Sequence, residues 1–184
     1  MGEYYLISQL PSLDSISDGS QLPITYERFL TLCESLLGKK YLQELKKITL
    51  IPSKDAEKSS SCLIEAWNEG ERKLRIALAK LRADKMNKHY DAEIQSFPAV
   101  LLQVARAAVD IESPLEAEKY LNRCRLDFLE TLRPMDSFSA EFVFYYALKL
   151  KLIERISLFD SKRGESAYRN IYDVIINSDR TEVI

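Results

Sequence analysis

The chain has a single histidine, His89, which excludes every metal centre built on two or more imidazoles. Its five glycines, Gly2, Gly19, Gly38, Gly70 and Gly164, are scattered, whereas a phosphate cradle needs several within one tight turn. The three cysteines, Cys33, Cys62 and Cys124, are odd in number and far apart. They form no C-x-x-C pair and no disulfide framework, so they read as reduced thiols of a cytoplasmic protein, packed as small apolar core residues. No Gly-x-Ser-x-Gly elbow and no Glu-x-x-His ligand pair occurs. The N-terminus lacks a basic stretch followed by an apolar core, so no secretory leader is expected. The most apolar run, residues 142–148, falls well short of the ~20 residues that a bilayer span needs. A formal charge of -2 gives no strong attraction to nucleic acid or acidic membranes. These absences predict a protein with no catalytic residues, metal, cofactor, nucleic-acid partner, membrane insertion or small-molecule substrate.

What remains is ordinary globular composition, 46% hydrophobic and 29% charged over 184 residues, enough for one domain with a proper core. The pattern predicts an all-α fold, an antiparallel bundle-like domain of about six helices spanning residues 1–184. Residues 1–24 form an N-terminal segment and loop, and residues 25–184 carry the helices. Residues 4–10 are a short apolar stretch that suits either a brief strand or one helical turn. Helices are predicted over residues 25–37, with Thr25 as N-cap and Gly38 as stop, and over residues 41–49. Leu63, Trp67, Gly70, Leu74, Ala77 and Leu81 recur at alternating four and three spacing. That seam predicts a long helix to about Lys88, with Gly70 marking the close approach of a neighbouring backbone. Pro98 opens a helix with a narrow face of small residues. Ser113-Pro114-Leu115-Glu116 has the composition of a capping box, opening a helix that Pro134 ends. Residues 139–159 form a central core helix, apolar all round at first and amphipathic later. A last helix over residues 165–177 buries Tyr168, Ile171, Tyr172 and Ile175. Short connections predict that the later sequential helices pack antiparallel, and no internal repeat is visible.

Two features could serve a partner. Arg72, Arg75, Lys80 and Arg82 belong to a basic helix segment over residues 72–88, either a contact for an acidic partner surface or RNA, or a solvated face. No aromatic interleaves with it, as stacking on single strands would require. Phe142, Phe144, Tyr145 and Tyr146 exceed one helix stripe. Either several neighbours surround this helix, or another chain completes its cover; Phe142 and Tyr146 are the candidate contacts. His89, beside Tyr90 and Asp91, reads as a solvated helix end. The glutamates of residues 65–71 and 112–118 read as helix-start charges favoured by the dipole.

Three stretches carry a resemblance. These are YYALKLKLIERISLFDSKRGESAYRNIYDVI near the C-terminus, EYYLISQLPSL with LPITYERFLTLCESLL at the N-terminus, and NRCRLDFLETL between them. Together they resemble an uncharacterised bacterial family encoded alongside V/A-type rotary ATPase subunits, itself distantly similar to the helical C (d-type) stalk subunit. The resemblance implies a non-catalytic accessory or stalk-associated protein, cytoplasmic, peripheral to the membrane through its complex, with rotary ATPase subunits as partners. The alternative is a helical adaptor or regulatory module unrelated to the ATPase.

Overall fold

The computed structural model describes residues 2–14, 22–52, 59–158 and 164–172. Among these the fold is all-α. The helices are α1 (Gly2–Gln9), α2 (Tyr26–Leu36), α3 (Lys39–Lys47), α4 (Cys62–Lys85), α5 (Ala99–Asp110), α6 (Pro114–Thr131) and α7 (Ala140–Ser157), and residues 164–172 form a further helix, α8. The expected N-terminal segment and loop over residues 1–24 and the last helix over residues 165–177 lie partly outside the described residues, and Ile175 lies wholly outside them.

Local chemistry sets most helix ends. Thr25, Ser61, Ser113 and Ser139 each stand in extended backbone and accept a hydrogen bond from the third amide beyond them. The first amide of α2 has a second, long-range cap, donating to Oε1 of Glu154 on α7 at 2.6 Å. The Ser113 box is half-formed: its hydroxyl accepts from Glu116, but the Glu116 carboxylate pairs with Lys119 at 2.9 Å. α4 ends earlier than its apolar pattern suggests. Asn87, at φ 54°, takes the left-handed position that glycine usually fills. The amides of Asn87 and Lys88 then donate back to the carbonyls of Asp84 and Ala83, closing a Schellman motif. Gly38 is not a helix stop. Leu37 caps α2 in extended backbone, and Gly38, at φ −60°, is the N-cap of α3.

Two apolar cores share the long helices. The larger joins α1, α2, α3, the start of α4, the end of α6 and nearly all of α7, with Leu6, Phe29, Leu45, Trp67, Leu129 and Leu148 buried in it. The smaller lies between the later part of α4, α5 and the first half of α6, around Leu74, Ala77, Leu78, Ala105, Ala108 and Leu121. α7 is the axis of the first core, and residues 143–150 are all buried. The chain itself therefore covers Phe144, Tyr145 and Tyr146, while Phe142 at the start of the run is half-buried.

The order of contacts gives the directions. Tyr145 and Lys149 reach Glu130 while Arg155 reaches Glu118, so α6 and α7 are antiparallel, as expected. α4 and α5 depart from that expectation. Lys85 near the end of α4 donates to the carbonyl of Val109 near the end of α5, while Leu74 and Leu101 face one groove further back. The two helices thus run parallel. The connection over residues 86–98 is long enough to return along α4, and Lys80 holds it through the Tyr90 carbonyl at 3.0 Å. Alanines at 77, 105 and 108 allow the close approach of this pair.

Candidate functional site

An apolar groove of about 620 Å³ opens between the middle of α4, the first turns of α5 and the second half of α6. Ala66, Gly70 and Leu74 form one wall, Val100, Leu101 and Val104 another, and Cys124, Phe128 and Leu132 the third. Glu69, Lys73 and Asp127 also line it. Val100 is 72% exposed and Phe128 37%, so large apolar side chains face solvent here instead of filling a core.

Gly70 creates part of this space. A Cβ at that position would lie 2.6 and 2.7 Å from two ring carbons of Phe128. The expected close approach to Gly70 is real, but it comes from a side chain and not from a backbone. The Phe128 ring also stacks against Trp67, with centroids 6.1 Å apart.

Arg125 lines the groove and anchors a buried ion network beside it. It grips the Glu71 carboxylate with two bonds of 3.0 Å, and reaches Glu118 at 3.3 Å and Asn122 Oδ1 at 3.1 Å. Arg75 adds a bond to Glu71 at 2.9 Å, and Arg155 pairs with Glu118. Burial works against the Arg125 charge, but the Glu71 and Glu118 carboxylates outweigh it and raise its pKa. A guanidinium held this way carries charge and orientation and does not exchange protons.

A second polar cluster pins α7 to the N-terminal segment. Lys149 Nζ donates to Asp14 and Glu130, both at 2.6 Å, and to Tyr145 Oη at 3.3 Å. Desolvation opposes the Lys149 charge, yet the hydrogen bonds to Asp14, Glu130 and Tyr145 win and raise its pKa. The Lys149 bond lowers the pKa of Asp14. Burial would raise that of Glu130, but the bonds from Lys149 and Tyr145 lower it. Burial and the Glu130 bond push the Tyr145 phenol up to about 12. A lysine kept protonated in this way is an ionic tie and not a nucleophile.

Residues 99–178 match a family described as "Protein of unknown function (DUF2764)". The match takes in α5, α6, α7 and α8, so two of the three groove walls lie inside it and the α4 wall outside. No curated protein and no solved structure matches the chain.

The residues that the sequence singles out are not brought together. Arg75 is bound to Glu71, and Lys80 to Asp84 and the Tyr90 carbonyl. Arg72 is half-buried with an Nε that has no hydrogen-bond partner, and Arg82 is exposed. Lys73 and Lys85 are engaged as well, with Glu69 and with the Val109 carbonyl. Tyr146 is buried, its hydroxyl donating to the Pro11 carbonyl at 2.9 Å, so it is no surface contact. Phe142 is half-buried, with its ring 5.7 Å from that of Tyr145. His89 is exposed on the α4–α5 connection. Among the described residues no His, Cys, Asp and Glu side chains group so as to hold a metal ion, and no helix is long and apolar enough to cross a membrane.

Sequence reasoning missed the groove because it read α5 as carrying a narrow face of small residues. The available signal was width. On α5, Val100, Leu101, Val104, Ala105, Ala108 and Val109 cover more of the helix than one neighbour can bury. The last helix is a second correction. Tyr168, Ile171 and Tyr172, expected in the core, are 67%, 61% and 52% exposed.

Proposed function

We propose that the protein is a non-catalytic helical interaction module whose α4–α5–α6 groove receives an amphipathic helix of a partner. Its setting is that of an accessory or stalk-associated subunit of a bacterial V/A-type rotary ATPase. The observation that supports the docking role is the groove itself, with apolar walls open to solvent, polar groups at its edge and a floor charge already satisfied. This is how helix-in-groove recognition is built, with apolar anchors supplying affinity. The two buried basic residues, Arg125 and Lys149, support a structural role for the ionic groups, since both are held protonated by fixed partners. The ATPase setting comes from the resemblance of the N-terminal, middle and C-terminal stretches.

The test is affinity purification of the tagged full chain from its native host under mild solubilisation. Rotary ATPase subunits accompany the wild type and are lost with Val100→Asp, which sets a charge in the groove without touching either core. If ATPase subunits are absent with the wild type, the ATPase setting is wrong. If they persist with Val100→Asp, the groove is not the docking surface.

A further inference from the structure

α8 is the one described helix with no buried residue. Its apolar side chains, Tyr168, Ile171 and Tyr172, follow i, i+3, i+4 spacing and so share one face. The Tyr168 and Tyr172 rings stack with centroids 6.1 Å apart, which presents the face as a single ridge. A helix this short is marginal in water on its own, where fewer than ~12–15 residues rarely hold, so it needs a surface to pack on. The groove is a trough between three helices with apolar walls.

We infer that the groove receives α8 of a second copy of this chain, so that two chains exchange their C-terminal helices reciprocally. The inference rests on the reading of the groove as a helix acceptor and names what it accepts. Area favours exchange over a single docking event. Tyr168, Ile171 and Tyr172, 67%, 61% and 52% exposed, offer about 350 Å² of ridge and face a similar area of groove, at roughly 200 Å² for each fully exposed side chain. One such contact, ~700 Å² in total, falls below stable interfaces, whereas two related by a two-fold axis give ~1,400 Å², within the usual 1,200–2,000 Å².

The experiment is sedimentation equilibrium of the full chain over a range of concentrations. The wild type forms a dimer, and Ile171→Asp and Val100→Asp each weaken dimerisation at least about 100-fold with unchanged far-ultraviolet circular dichroism. A thiol probe then identifies the occupant. Ile171→Cys in a Cys62→Ser background places an introduced thiol opposite native Cys124 on the groove wall. Mild oxidation yields a covalent dimer linked through Cys124. A link formed within one chain, a wild type that is monomeric throughout, or a dimer that persists in both Asp variants each overturns the inference. A monomeric wild type whose Val100→Asp variant still loses ATPase subunits would leave the groove standing as a docking site and remove only the helix exchange.

Discussion

Gly70 and Phe128 form a coupled pair whose sign can be worked out. Replacing a glycine inside a helix by alanine normally stabilises by about 1 kcal/mol. Here the added Cβ falls 2.6 Å from the Phe128 ring, so the ring must retreat by about 1 Å to reach ordinary contact of ~3.6 Å. The ring is exposed on one side and can move, but only by opening its stack with Trp67, an interaction of about 0.5–1.5 kcal/mol, on top of overpacking that costs ~1–3 kcal/mol. Gly70→Ala alone should therefore be destabilising by about 2 kcal/mol once the helix gain is subtracted. In a Phe128→Ala background the obstacle is gone, and the same change should stabilise by about 1 kcal/mol. The coupling in a double-mutant cycle is thus about 3 kcal/mol, well outside the ~0.5 kcal/mol of independent sites. Urea unfolding followed by helical circular dichroism measures all four chains. If Gly70→Ala stabilises both backgrounds equally, the contact is not there and this wall of the groove is misdescribed.

The two ionic clusters should differ in what their loss costs. Arg125→Met removes a cation 8% exposed from a carboxylate 3% exposed, leaving Glu71 with Arg75 alone, and should cost about 3 kcal/mol. Lys149→Met frees Asp14 and Glu130, 58% and 42% exposed, which can rehydrate, so the loss should be nearer 1 kcal/mol. Urea midpoints decide, and the reverse ranking would refute the burial argument. The same lysine predicts a pH profile. Asp14 and Glu130 have lowered pKa values, so their contribution is present above the unfolded carboxylate values near pH 4 and is lost as pH falls through the folded ones. Lys149 has a raised pKa, so its contribution is full below about pH 10 and is lost as pH climbs through the folded value. Stability versus pH should be shallower at both ends in Lys149→Met than in wild type, and identical slopes would show that the cluster carries no linkage.

The elements that the sequence made legible are those with local determinants. Thr25, Ser61, Ser113 and Ser139 mark helix starts because the capping hydroxyl lies next to the amides it satisfies. The core position of residues 143–150 was legible because no single stripe can hold that much apolar surface. Three things were hidden because they depend on distant neighbours. α1 looked like strand or turn because its helix rests on Leu6, buried against residues far along the chain. The parallel run of α4 and α5 depends on a long return connection, irregular in sequence, whose anchors Ile94 and Phe97 show their role only once they pack on the smaller core. The groove is an interval between helices, and an interval has no residues of its own to read. The basic segment reads differently in sequence and in space. Its charges look free in one dimension, and most of them meet carboxylates or carbonyls in three.

The burial of α7 has a consequence for how the chain is made. α1, α2 and α3 each pack on α7, yet they leave the ribosome long before it does. At the usual ~5–20 residues per second, those first helices wait about 5–20 s for the element that covers Phe29, Leu45 and Leu6. α4, α5 and α6 have no such delay, since the smaller core closes from consecutive segments. α1, α2 and α3 therefore emerge before α4, α5 and α6 but complete their core after them. During synthesis their apolar faces are the surface that a chaperone would meet.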